Sequence, residues 1–219
     1  MTTTDYLLEA AADIWQAYYD HPFIKGIENG DLDKEKFRFY ILQDYLYLQE
    51  YAKVFALGVA KAKTVELADL FAGYIPAINA ELTVHSGFMT NFGVTPEDAL
   101  KSDRSLANLS YTSYMLRIAY EEGEAEILAA ILSCALSYEA IAKRIVANRP
   151  DSQDDPFYGP WIKNYAGSEY CDPNVTLVET LNRTTEDYTE TQLVHLKDVF
   201  VACSRYELDF WEMGWQMTM

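Results

Sequence analysis

Two carboxylates and a thiol stand among aromatic residues at helical spacing in this chain. In ILQDYLYLQEY (41–51), Asp44 shares a stripe with Tyr40, Tyr47 and Tyr51, which Phe37 and Phe55 extend. An uncompensated carboxylate on an apolar face is costly, so Asp44 needs a partner. A tyrosine hydroxyl or a basic side chain of the chain itself would serve, and so would a ligand. In ILAAILSCALSYE (127–139), Cys134 and Tyr138 lie on one face of a segment that is apolar almost all round. A thiol there is an inert small hydrophobe or, where something favours the thiolate, a nucleophile. Cys171 and Cys203 have no stronger claim. In CSRYELDFWEM (203–213), Glu207 follows Cys203 by one turn and sits beside Phe210 and Trp211. A carboxylate against aromatic surface has its pKa raised, which suits a proton donor near neutrality. The alternative is an ion pair with Arg205 or another base at the surface. Two carboxylates, a thiol and aromatic walls suit a flat, nitrogen-rich ring. Carboxylates accept from its amino groups, aromatics sandwich it, and the thiol adds to an electron-poor ring carbon.

The elements that must hold these residues are helices. One is expected over 4–20, capped by Thr4 or Asp5 and stopped by His21-Pro22. After the turn signal ENGD, Asp33 caps a long helix over 34–62, which carries Asp44. The next runs over 65–91, with a kink or break at Pro76. Thr95-Pro96 opens a short helix, and another spans 108–122. The segment 124–147, with Cys134, reads as a central buried helix. Short helices follow over 157–165 and 174–182, and a long one over 190–214 carries Glu207. No strand-like alternation is present. The expectation is one all-helical domain, 1–219, in which apolar faces turn inward so that Asp44, Cys134 and Glu207 converge.

Composition narrows the function classes. The formal charge of −17 over 219 residues repels phosphate backbones and anionic membranes, which argues against nucleic-acid partners. No apolar run approaches the roughly 20 residues of a membrane span. The N-terminus lacks a secretory layout, and three widely spaced cysteines form no disulfide framework. A cytoplasmic protein with a small-molecule ligand is expected.

Several stretches in order resemble the TenA family, also called thiaminase II or aminopyrimidine aminohydrolase. They are HPFIKGI (21–27), LQDYLYL (42–48), SYTSYM (110–115), the Cys134–Tyr138 segment, WIKNY (161–165) and YELDFWEM (206–213). The resemblance implies a haem-oxygenase-like helical fold without haem, a homotetramer, and no metal or organic cofactor. The implied reaction is hydrolysis at the methylene carbon of 4-amino-5-aminomethyl-2-methylpyrimidine, or of thiamin, giving the hydroxymethylpyrimidine for thiamin salvage. Carried over by position, Cys134 matches the nucleophile, Glu207 the proton donor and Tyr47 the tyrosine that supports the cysteine. Asp44 matches the carboxylate that holds the pyrimidine, and Tyr111, Tyr138 and Tyr165 match the walls. Ala135 and Leu136 depart from the family, which often has large aromatics directly after the cysteine.

Two other readings compete. Glu81 and His85, four apart, have metal-ligand spacing, which with Glu139, Glu186, Glu190 or His195 points to a di-iron oxidase. A structural role for His85 is the simpler reading, since the second cluster fits poorly. The third reading is a non-catalytic pyrimidine or thiamin binder.

Overall fold

Eleven α-helices and one 3₁₀ turn carry the chain, and the computed structural model describes residues 1–219. The chain divides into two compact units: residues 1–33 with 128–212, and residues 34–127 with 213–219.

In the first unit, α1 (Thr3–Ala10) starts with a capping box. The Thr2 hydroxyl accepts from the Asp5 amide while the Asp5 carboxylate accepts from the Thr2 amide. The cap is therefore Thr2, and Asp5 is the residue that closes the box. The single helix expected over 4–20 breaks at Ala11, before α2 (Ala12–Asp20). No Gly or Pro marks that break. Tertiary bonds hold α1, because the Thr4 amide and hydroxyl both donate to Asn182 Oδ1, at 2.9 and 3.0 Å. An unexpected helix, α3 (Pro22–Asn29), follows. The His21 ring accepts from the Phe23 amide, Pro22 occupies the first turn, and Gly30 ends the helix at φ +76°. The stop signal and the turn signal of the sequence are the two ends of this helix.

This unit also holds most of α8 (Glu124–Asn148), with α9 (Gly159–Ala166), α10 (Ser168–Thr184) and most of α11 (Glu190–Gln216). α10 begins six residues earlier than expected and carries Pro173 inside it. Residues Leu128 to Leu132 of α8 are wholly inaccessible. By length and composition α8 does reach the threshold for a membrane span, contrary to the sequence reading, but 78% of its most apolar window is buried, as in a core helix. A polar seam ties it to α2 and α11. Ser204 Oγ lies 3.0 Å from Ser133 Oγ, the Trp15 indole donates to Ser204 Oγ at 3.2 Å, and the Tyr18 hydroxyl donates to the Ser204 carbonyl at 2.5 Å.

The second unit is built on α4 (Lys34–Lys61) and α5 (Val65–Asn91), an antiparallel pair joined by residues 62–64, with α6 (Pro96–Leu100) and α7 (Leu106–Glu121) against α4. α5 runs through Pro76 as one helix. A proline forfeits one backbone bond, and packing on α4 offsets it: Tyr74 stacks on Phe55 at 5.2 Å and Ile78 is 3% exposed. At Gly58 the helices come close enough that a Cβ would meet the Phe71 ring at 2.7 Å. α7 is pinned by Gln43, whose carbonyl and Oε1 accept from Asn108 Nδ2 at 2.7 and 3.2 Å. Lys61 Nζ satisfies the Tyr120 and Glu122 carbonyls at the C-terminus of α7, both at 2.6 Å.

Candidate active site

The predicted residues fall into two sets, one in each unit, and every one of them is buried. In the α4–α7 unit, Asp44 is 2% exposed. Two donors meet on its Oδ2: the Tyr40 hydroxyl at 3.0 Å and His85 Nε2 at 2.7 Å. His85 Nδ1 in turn lies 3.0 Å from the Glu81 carbonyl. A ring whose two nitrogens both face acceptors is best satisfied with two protons. Burial pulls the His85 pKa down, but the Asp44 hydrogen bond and charge, aided by Glu81, outweigh it and leave the value raised. Asp44 and His85 thus form a buried pair whose geometry favours the protonated imidazole.

That pair resolves two open points. The chain itself supplies a basic partner for Asp44, along with a tyrosine hydroxyl. Both ring nitrogens of His85 are engaged, so the Glu81–His85 spacing serves hydrogen bonding rather than a ligand set. His85 was legible as structural but not as the partner of Asp44, although a signal existed. With α4 and α5 joined by a three-residue connection, Asp44 lies 17 residues before the end of α4 and His85 20 residues after the start of α5, so the two fall at nearly matching heights on the antiparallel pair. The register is continuous: from Gly58–Phe71 to Phe55–Tyr74 is three residues on each helix, and from there to Asp44–His85 eleven on each.

In the same unit the rings of Tyr47 and Tyr111 lie 5.1 Å apart, and Tyr47 stacks on Tyr51 at 5.4 Å. The Tyr47 hydroxyl donates to Met115 Sδ at 3.4 Å. Tyr111 follows Asn108 by one turn on α7, so the Gln43–Asn108 bonds also fix its position.

In the other unit, α8 presents Cys134, 5% exposed, and α11 presents Glu207, 1% exposed. Burial excludes the surface ion pair considered for Glu207. The two residues share a neighbour that the sequence did not single out, Tyr18 of α2. Its hydroxyl is held well above the ordinary phenol range, by burial first and then by the charges of Glu207, Cys203 and Cys134. All three groups thus act on one phenol. Burial, and then the Glu207 charge, push the Cys203 thiol far up, which keeps it protonated and unreactive. Cys171 is also raised, by burial first, and its thiol faces the Tyr165 carbonyl at 3.5 Å.

Aromatic walls adjoin this group. Tyr138 meets Tyr165 at 4.8 Å and Trp211 at 5.1 Å, Trp161 meets Tyr165 at 4.8 Å, and Phe23 of the unexpected α3 meets Trp211 at 5.7 Å. Ala135 keeps its side chain buried, while its carbonyl accepts from Asn174 Nδ2 at 3.3 Å. A cleft of about 720 Å³ in the same unit is lined by Tyr6, Asn182, Arg183 and Tyr188 among others, and by none of the predicted residues.

The chemistry available is a thiol and a carboxyl group beside aromatic rings in one unit, and a carboxyl group bonded to a histidine beside tyrosines in the other. Comparison with known proteins places the whole chain in one family. Residues 8–217 match the profile of the TENA/THI-4/PQQC family. An aminopyrimidine aminohydrolase of Helicobacter pylori is 39% identical over 220 residues, covering 99% of this chain and 100% of that protein. The solved TenA homologue of P. horikoshii superposes with a TM-score of 0.89 at 30% identity, covering 99% of both chains. A Shewanella denitrificans domain with a heme oxygenase-like fold superposes at a TM-score of 0.66 and 15% identity, covering 99% of this chain and 93% of the other, which extends the likeness to that broader fold.

Proposed function

The chain belongs to the TENA/THI-4/PQQC family, and on that premise we propose that it is an aminopyrimidine aminohydrolase of the thiaminase II kind. It replaces the amine on the methylene carbon of 4-amino-5-aminomethyl-2-methylpyrimidine by hydroxyl and so returns a pyrimidine to thiamin synthesis. The observation that carries this reading is end-to-end similarity to a relative of that name, in a chain whose candidate nucleophile and acid are both buried in one unit.

The reaction divides among named side chains. Asp44 takes the amino and ring-nitrogen edge of the pyrimidine, and Tyr111, Tyr138 and Tyr165 wall the ring. Cys134 attacks as thiolate, forming a bond from Sγ to a ring carbon, with Tyr47 in support. The ring electron pair then expels the amine, which takes a proton from Glu207 and leaves as ammonia. Water adds to the exposed methylene carbon and gives a proton back to Glu207. The Sγ–carbon bond breaks and the ring is restored. No step calls for a metal or an organic cofactor. Ala135 and Leu136, small beside the family's aromatics, leave room for a substituted pyrimidine.

The protein acts in the cytoplasm as a homotetramer, with no nucleic-acid or membrane partner; the charge of −17 favours an amine-bearing substrate. Light scattering is expected to give about 100 kDa, four chains of 25.0 kDa, and a monomer mass removes the tetramer. The deciding experiment is ammonia release from the aminomethylpyrimidine, run beside thiamin cleavage. Cys134→Ala should lower turnover by about a thousandfold or more with an unchanged melting temperature. Release that survives Cys134→Ala ends the cysteine mechanism, and no release from the folded wild-type protein leaves a binder.

A further inference from the structure

Tyr40, Asp44, Glu81 and His85 form a chain of hydrogen bonds in which every bond to Asp44 falls on one oxygen. The Tyr40 hydroxyl and His85 Nε2 both reach Oδ2, and neither reaches Oδ1. A carboxylate gripped on one oxygen by two donors has a fixed rotamer and accepts through the other. We propose that His85 is a positioning residue of the pyrimidine site: held between the Glu81 carbonyl and Asp44, its imidazolium keeps Asp44 as an ionised, acceptor-only carboxylate whose Oδ1 selects pyrimidines presenting two N–H donors, the exocyclic amine and a protonated ring nitrogen.

This rests on the proposed aminohydrolase reading and adds a selection rule to it. A neutral carboxyl group would donate to an unprotonated ring nitrogen. A carboxylate accepts only, so the ring must bring the proton. A protonated pyrimidine is also the more electron-poor ring and the better acceptor of a thiolate. The positioning works at one remove from substrate, because His85 touches Asp44, Oδ2 is already occupied, and the substrate edge meets Oδ1. Burial strengthens the effect, since His85 is 1% and Asp44 2% exposed, where a charge without its partner is costly.

Two measurements test it. In the first, histidine-ring ¹⁵N NMR at pH 6.5, the ordinary histidine pKa, reads the protonation of His85, with only three histidines to assign. Two protonated ring nitrogens are expected in the wild type, with collapse to a neutral ring in Asp44→Asn. A neutral His85 in the wild type overturns the proposal, even if every variant at this position fails to fold. In the second, His85→Ala and His85→Gln are compared in the ammonia-release assay. His85→Ala should raise KM about tenfold or more with a smaller fall in kcat. His85→Gln, which keeps an N–H for Oδ2, should recover most of the KM. An unchanged KM in His85→Ala, with only kcat reduced in proportion to folded protein, reduces His85 to a structural residue and sinks the proposal. The aminohydrolase reading fails separately, by absence of cysteine-dependent release in the wild type.

Discussion

The two buried polar clusters answer the same problem in opposite ways. Asp44 meets an imidazole 2.7 Å away in the α4–α7 unit, and its presence raises the His85 pKa in spite of burial. Glu207 in the other unit has thiols and a phenol for neighbours, and its charge drives the Cys203 and Tyr18 pKa values upward after burial has done so. One cluster stabilises a fixed charge and suits a template that must not change protonation. The other keeps protons on weak acids and suits a place where a proton is exchanged. The difference teaches that burial alone does not set the role of a carboxylate; the sign and acidity of its neighbours do.

The contrast is open to direct attack. Glu207→Gln should lower kcat by about 10²–10⁴-fold, the usual worth of a positioned proton donor, with a smaller effect on KM. Equal hydrolysis rates would leave Glu207 without its part in the reaction. Asp44→Ala removes the template and one half of the buried pair together. A rise in KM, a fall in kcat and about 3 kcal/mol lost in urea unfolding are expected; a kinetically silent Asp44→Ala would separate the pair from the chemistry. The pH dependence of that pair has a definite sign. The folded-state pKa of His85 is raised above its ordinary 6.5, so its contribution is fully present below about 6.5 and is lost as pH rises through the folded value. The stability gap between wild type and His85→Gln should therefore be widest in mild acid and close on the alkaline side, as urea midpoints at a series of pH values will read. The smallest effect concerns an exposed pair on α7. Arg117 and Glu121, 2.9 Å apart and both exposed, should yield only about 0.3–0.5 kcal/mol to Arg117→Ala. A loss as large as that at Asp44 would undo the distinction between buried and surface pairing.

Much of this was legible in the sequence, for identifiable reasons. The all-helical class followed from periodicity, the start of α4 from the turn signal ahead of it, and the bounds expected for α4, α5 and α8 lie within one residue of those observed. The candidate residues were legible as polar groups on apolar faces. What escaped was tertiary. The ends of α3 were both read, yet the eight residues between them were too few to register as a helix beside a stop and a turn. Pro76 signalled a break by local rules, and packing of α5 along α4 overrode it. Tyr18 showed only as one more apolar position, because its neighbours Cys134 and Glu207 lie more than a hundred residues away in sequence.

The close approach at Gly58 has a consequence for how this protein tolerates change. Gly58 and Asp44 are four helical turns apart on α4, and their partners Phe71 and His85 are equally spaced on α5. A methyl group at Gly58 would meet the Phe71 ring at 2.7 Å, and two stiff rods answer such a wedge by sliding or splaying along their length. A shift of about an ångström is enough to stretch a 2.7 Å bond out of range. Gly58→Ala would then register in a mutational scan as an active-site lesion, though it lies roughly 20 Å from the carboxylate it disables.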